Sequence, residues 1–313
     1  MLQRFNALTD QRFNMHADST ACFIPARDYD LAATLASGQA FRWSLHDGAW
    51  EGIVGSRWVR LRQCDGGIEA ETAVPVAGWS WLTDYLQTDL DFGSILQSFP
   101  DDEPMRASVT ACRGLRLLRQ EPWECLASFI LSSTKQIVQI EQIVALLCAR
   151  FGEPLKVPAG CGPVHAFPNA ERLAAASEGE LRACKMGFRA PNLLATARRV
   201  AGGELDLRGL ESRSASEARA ALVALPGVGE KIANCVLLFA YGFQEAFPVD
   251  VWVGKAIRQL YFPKRRPTPQ RLRRFVGTYF GPNAGYAQQY LFHFARTRRQ
   301  KVGRAAPRAP KGV

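Results

Sequence analysis

The sequence predicts an α+β protein, with a small antiparallel β domain first and an all-helical domain after it. Three observations carry this. Five short runs between residues 22 and 71 (CFIPAR, QAFRWSL, AWEGIVG, RWVRLRQ and GIEAE) are rich in aromatic and β-branched side chains. Turn signals at His46-Asp47-Gly48, Gly55-Ser56 and Asp65-Gly66-Gly67 separate the last four. From Trp79 the apolar residues recur with a helical period. The stretch LPGVGEKIANCVLLFAYGFQEAFPVDVWVG, from Leu225 to Gly254, then reads as a tight hairpin, a buried helix, a loop and the start of another helix.

Taken in order, the β runs form a meander, and a sheet this small needs helices against it. WSWLTDYLQ, DFGSILQSF and PMRASVTACRG are the first helices. PWECLASFILSS and QIVQIEQIVALLCARFG follow as the most apolar pair in the chain. PAGCGPVHAFP is a Pro/Gly loop. Short helices over 170–176 and 178–184 precede a longer one over 190–201. Ser214-Ala215-Ser216-Glu217 is a capping box for the helix that enters the hairpin. The last two helices are expected near 268–280 and 284–297. The resulting division is a flexible N-terminus over 1–20, a β domain with flanking helices over 21–112, a helical domain over 113–299, and a basic disordered tail over 300–313.

With 313 residues the chain can build two cores. Its 39 Lys and Arg against 29 Asp and Glu give a formal charge of +10, which fits a polyanionic partner without identifying one. The eight cysteines contain no CxxC pair and most sit in apolar runs, so they read as reduced thiols of an intracellular protein. The N-terminus has no apolar signal core, and no stretch approaches the length of a membrane span.

Two features of Leu225–Gly254 carry chemistry. Gly227 and Gly229 permit close backbone approach, and LPGVG running straight into a helix leaves backbone N–H groups free as a phosphate seat. Lys231 lies in the first turn of that helix, where the dipole disfavours an ammonium; this placement suits an amine that acts as a neutral nucleophile. Asp250 occupies an N-cap position before Val251, Val253, Ala256, Ile257 and Leu260.

The hairpin, Lys231 and the following VDV resemble the helix-hairpin-helix DNA glycosylases with a Gly/Pro-rich loop and a following Asp. LASGQAFRWSL, GLRLLRQEPWECLASFILSS, MGFRAPNLLATAR and GPNAGYAQQYLF narrow the resemblance to the 8-oxoguanine DNA glycosylases. It covers about 31–294. That resemblance implies that Lys231 attacks the sugar C1′ with Asp250 assisting. It implies that the Gly38 carbonyl accepts from N7–H of 8-oxoguanine, an edge that in guanine is an acceptor. Cys235 and Phe292 would sandwich the flipped base and Gln288 would read its Watson–Crick edge. Phe188 would wedge the duplex and Arg189 would read the estranged cytosine. Gly227, Val228 and Gly229 would hold DNA phosphate. No cofactor is required, and with no cysteine after Cys235 an iron–sulfur cluster is not expected. An alkali or calcium ion held by the main-chain carbonyls of Val223, Leu225 and Val228 is the one ion expected. The partner would be duplex DNA bearing 8-oxoguanine, met by a monomer.

Three positions depart from the family pattern. Thr134 stands where an Asn fills the vacated hole, Gln139 where a second Arg reads cytosine, and Trp252 where a His touches phosphate. A neutral, shorter set should hold cytosine less firmly, so a relaxed preference for the opposite base is expected. Two other readings compete: an alkylated-base glycosylase on the same fold, whose relatives lack the lysine, and a non-catalytic DNA-structure binder, which needs neither the Lys/Asp pair nor a base pocket.

Overall fold

The computed structural model describes residues 19–264 and 266–305, without the side chains of 269 and 299–305. The last four of the five expected runs form the meander, whereas the first pairs with the last instead of with the second. Strands β1 (Ser19–Pro25), β2 (Trp43–His46), β3 (Ala49–Val54), β4 (Arg57–Cys64) and β5 (Gly67–Val76) form an antiparallel sheet of order β1-β5-β4-β3-β2. Hairpin pairs fix the register, with Trp43 opposite Gly52 and Gly52 opposite Val59. At Gly52 the Trp43 ring lies where a Cβ would stand, 2.4 Å away, so the strand interior needs glycine there.

Helix α1 (Leu31–Ala36) interrupts the stretch read as β. Asp30 caps it by accepting from the Ala33 N–H at 2.8 Å. QAFRWSL is strand only from Trp43, because Gln39, Ala40 and Phe41 turn inward and are buried. Helix α2 (Ser80–Leu86) closes over the sheet, and Leu31, Leu35, Trp43, Val59, Leu61, Ile68, Trp79 and Leu82 form the core between them.

The larger core belongs to the helical part. Its elements are α3 (Phe92–Gln97), α4 (Glu103–Ala111), α5 (Pro122–Leu131), α6 (Ile137–Phe151), α7 (Ala170–Ala174), α8 (Glu178–Ala183), α9 (Ala190–Ala201), α10 (Ala215–Val223), α11 (Glu230–Val236), α12 (Val251–Tyr261), α13 (Pro269–Tyr279) and α14 (Ala284–Ala305). Helix α5 is buried all round from Cys125 to Leu131. Helix α6 buries one stripe, Ile140, Ile143, Val144, Leu147, Cys148 and Phe151, at the spacing of a single helix face. Each such side chain contributes about 1.5–3 kcal/mol when fully buried. Phe92, Ile95, Phe99, Met105 and Cys112 pack on this helical core rather than on the sheet.

The two ends of the chain differ from expectation where they are described. Strand β1 begins at Ser19, inside the stretch expected to be flexible, and α14 runs to Ala305, six residues into the expected tail. The rest of both calls, 1–18 and 306–313, lies outside the described residues. All eight cysteines are free thiols, five buried and three (Cys22, Cys64, Cys161) half-buried. Among the described residues, no helix is long and apolar enough to cross a membrane.

Candidate active site and DNA interface

The hairpin joins α10 to α11. Gly227 sits at φ +75°, and a Cβ there would meet the Asn192 side chain at 2.7 Å, so the tight turn and the close approach of α9 both select glycine. The Val228 N–H donates to the Leu225 carbonyl at 3.2 Å, and Thr196 Oγ1 donates to the Pro226 carbonyl at 3.0 Å. Gly229 is the N-cap of α11, and the first intrahelical bond runs from the Ala233 N–H to the Gly229 carbonyl at 3.0 Å. The N–H groups of Glu230, Lys231 and Ile232 therefore have no partner within the helix, which makes the expected anion seat. Gly227 and Gly229 are exposed beside it, while the Val228 side chain is buried.

Lys231 projects from the first turn of α11 and is half-buried. Its Nζ donates to Ser132 Oγ at 3.0 Å and lies 5.0 Å from the centre of the Phe129 ring. Asp250 caps α12, its Oδ1 accepting from the Val253 N–H at 2.7 Å. No ion pair within 4.0 Å joins the two. They meet instead around Cys235: burial pushes this thiol up to about 11, the Lys231 charge pulls the other way, and the Asp250 charge adds to the rise. The hydrogen bond that positions the amine thus comes from Ser132 rather than from Asp250. The sequence assigns Ser132 no role; its one local signal is a hydroxyl placed directly after the buried helix α5.

The expected base-reading residues lie on α14 and on the turn after α1. Gln288 is 4% exposed and its Oε1 is buried without a hydrogen-bond partner, an acceptor that lacks a donor. Phe292, one turn on, is half-buried. Gly38 takes φ +81°, and Ile137 Cδ1 stands 2.4 Å from where its Cβ would be. This turn is clamped. Gln39, fully buried, donates through Nε2 to the carbonyls of Thr34 (2.9 Å) and Arg116 (2.8 Å), and accepts at Oε1 from the Leu118 N–H at 2.8 Å. From α14, Gln289 and Arg296 donate to the carbonyls of Ser37 and Ala36. Gln39 is a second positioning residue that sequence reasoning passed over. A cavity of about 570 Å³ lies elsewhere, between β2–β3 and α6, and its lining includes neither Lys231 nor Gln288.

On the other side of the site, Phe188 is 61% exposed and its ring lies 4.2 Å under the Arg189 guanidinium. Arg189 is buried. It donates to the Met186 carbonyl at 3.2 Å and to Thr134 Oγ1 at 2.6 Å, while its Nε has no partner. Thr134 and Arg189 are thus brought together. Gln139 is not part of that contact: its Oε1 accepts from the Gln136 N–H at 3.1 Å in a capping box that starts α6. Trp252 is 42% exposed on the first turn of α12, with Lys255 Nζ 5.6 Å from its ring.

Comparison with known proteins identifies the family. Residues 21–126 match the family model of the 8-oxoguanine DNA glycosylase N-terminal domain, and residues 127–281 match that of the HhH-GPD superfamily base excision DNA repair proteins. The chain is 32% identical over 300 residues to the N-glycosylase/DNA lyase OGG1 of Arabidopsis thaliana, covering 89% of this chain and 81% of that one. Among solved structures, MBOgg1 in complex with a low affinity DNA ligand superposes with a TM-score of 0.84 at 31% identity, over 91% of this chain and 98% of that one. The Clostridium acetobutylicum 8-oxoguanine glycosylase/lyase, in complex with duplex DNA containing cytosine opposite 8-oxoG, superposes at 0.82 with 29% identity, over 88% and 98%. The chain belongs to the 8-oxoguanine DNA glycosylase family, within the HhH-GPD superfamily of base excision DNA repair proteins.

Proposed function

We propose that this protein flips 8-oxoguanine out of duplex DNA, excises it, and cleaves the resulting abasic strand through a lysine Schiff base. The observation that carries the reading is the placement of Lys231: an amine held by Ser132 Oγ beside a buried thiol that also feels the Asp250 charge. Lys231 Nζ attacks C1′, and the C1′–N9 bond breaks with its electrons leaving on the base. Asp250 stabilises the positive charge that develops on the sugar. The amine then gives up a proton and the C1′–O4′ bond opens, leaving an imine at C1′ and a hydroxyl at C4′; removal of a C2′ proton expels the 3′ phosphate by β-elimination. Gly38, Cys235, Gln288 and Phe292 are assigned to the extruded base, and the orphaned Gln288 Oε1 supports that assignment. Phe188 and Arg189 take the gap and the opposite base, with Thr134 holding Arg189. The alkylated-base reading has no role for Lys231, and a non-catalytic binder has none for the Lys231–Ser132 contact.

The carbonyls of Val223, Leu225 and Val228 suit a hard cation, being neutral oxygen donors at one turn. The Leu225 carbonyl accepts one hydrogen bond and keeps a second lone pair. Such an ion would add positive charge beside the phosphate seat. Work on DNA places the protein inside a cell, and nothing in the site requires a second subunit.

Incubation with an 8-oxoguanine duplex and borohydride tests the reading. Wild type forms a covalent adduct; Lys231→Gln forms none and excises nothing, yet still binds the duplex. Full turnover by Lys231→Gln overturns the mechanism. Asp250→Asn keeps an N-cap of equal quality, so it removes the charge alone and slows chemistry while binding persists.

A further inference from the structure

The net charge is not spread over the chain. After Asp250 the remaining 63 residues hold 15 Lys and Arg and not one Asp or Glu, whereas residues 1–250 hold the other 24 against all 29 acidic side chains. The whole positive excess therefore lies C-terminal to the catalytic carboxylate. This asymmetry goes beyond what a hairpin and a base pocket need.

The fold gathers part of that charge on one face. Helix α13 turns Leu272, Phe275 and Val276 toward the core. At 100° per residue, Arg271, Arg273 and Arg274 all fall in the opposite half, and all three are exposed. Lys264 and Arg266, in the segment leading into α13, are exposed as well, as is Lys255 on α12. Tyr279 and Tyr261 donate to the Asp102 carboxylate at 2.8 and 3.2 Å, which anchors α12 and α13 to α4 and leaves the arginine face outward.

The basic face adjoins the phosphate seat. Arg273 NH1 lies 4.0 Å from Glu230 Oε2, and Glu230 is the residue before Lys231 in the first turn of α11. Among the described residues, this is the one ion pair made by any residue after Asp250. Both partners are about two-thirds exposed, so the pair adds little to stability and does not account for the arginines.

We propose that the solvent half of α13, with Lys264, Arg266 and Lys255, is a second backbone-binding surface that seats the phosphates of the duplex flank beyond the hairpin. Arg273 offsets the Glu230 carboxylate, which would otherwise repel phosphate at the seat. Arg271 and Arg274 stand about 4.5 Å apart along the helix axis on either side of Arg273, and Lys264 and Arg266 continue the positive face into the segment before α13. These contacts position the duplex and carry no sequence information. The proposal takes its partner, duplex DNA, from the glycosylase reading, but it concerns binding and not chemistry.

The test is a salt titration of binding to an undamaged fluorescent duplex by the full chain. Replacing Arg271, Arg273 and Arg274 together by Ala should weaken binding to every duplex sequence. It should also make the slope of log K against log salt shallower by about two to three, at about 0.9 per lost phosphate contact. A variant with all three as Gln keeps the side-chain stems and reads the same quantity if the Ala variant is poorly folded. A slope equal to wild type in the Gln variant overturns the proposal. So does a loss confined to single-stranded RNA with duplex binding unmoved. Borohydride trapping by wild type decides the catalytic reading and the salt slope decides this one, so either can fail alone.

Discussion

Thr134 holds Arg189 from a backbone conformation that a β-branched residue adopts at a cost. Its φ is +58°, in the left-handed region, and its Oγ1 accepts from Arg189 at 2.6 Å. Such a position costs on the order of 1–3 kcal/mol for a non-glycine residue, and Asn tolerates it better while still offering an oxygen acceptor. Thr134→Asn is therefore expected to raise unfolding free energy by about 0.5–1 kcal/mol with the Arg189 contact kept; a denaturant titration showing a loss would count against this. The same neighbourhood sets base choice. Arg189 is the guanidinium assigned to the opposite base, and Gln139, where a second one is expected, spends its side chain on the start of α6. One bidentate guanidinium contact discriminates by about 1–3 kcal/mol. Excision opposite C should accordingly exceed excision opposite T, G or A by roughly ten- to a hundredfold. A preference of several hundredfold, measured with four duplexes, would mean that another group reads cytosine.

Several elements were legible in the sequence because their signals are local. The four-strand meander, the hairpin, the capping box at Ser214 and the Asp250 cap are each set by signals within a few residues. What stayed hidden depends on partners far along the chain. Helix α1 has six residues and a single Asp30 cap, too little periodicity to stand out between β runs. Gln39 looked like any polar residue beside a turn, yet its amide joins Thr34, Arg116 and Leu118 across about eighty positions of sequence. Ser132 is ninety-nine residues from the lysine it holds. The Gln39 clamp fixes the turn that carries Gly38, so Gln39→Leu should leave the Leu118 N–H and the Arg116 carbonyl unpaired in the interior. Each buried orphan costs about 1–3 kcal/mol, and a fall of that order or twice it is expected in a chemical denaturation curve. A variant as stable as wild type would show that the clamp is redundant with the α14 bonds from Gln289 and Arg296.

At the scale of the whole molecule, the buried thiols tie stability to pH. Burial raises Cys235 and Cys148 to about 11 and Cys112 to about 12, from an ordinary value of 9.0. In the unfolded chain these groups ionise near pH 9, while in the folded protein they stay neutral. The folded state therefore binds more protons between those limits, and stability falls as pH rises. Below pH 9 the contribution is fully present; it is lost progressively from pH 9 to about 11–12. At pH 10 each thiol raised by two units should account for about 1.4 kcal/mol of the loss. Thermal unfolding at pH 8 and pH 10 checks this, and Cys148→Ala, distant from the amine, isolates one share: its own stability should change less with pH than that of wild type. An equal pH dependence in the variant would show that the thiol is not the titrating group, and that lysines or tyrosines dominate alkaline unfolding instead.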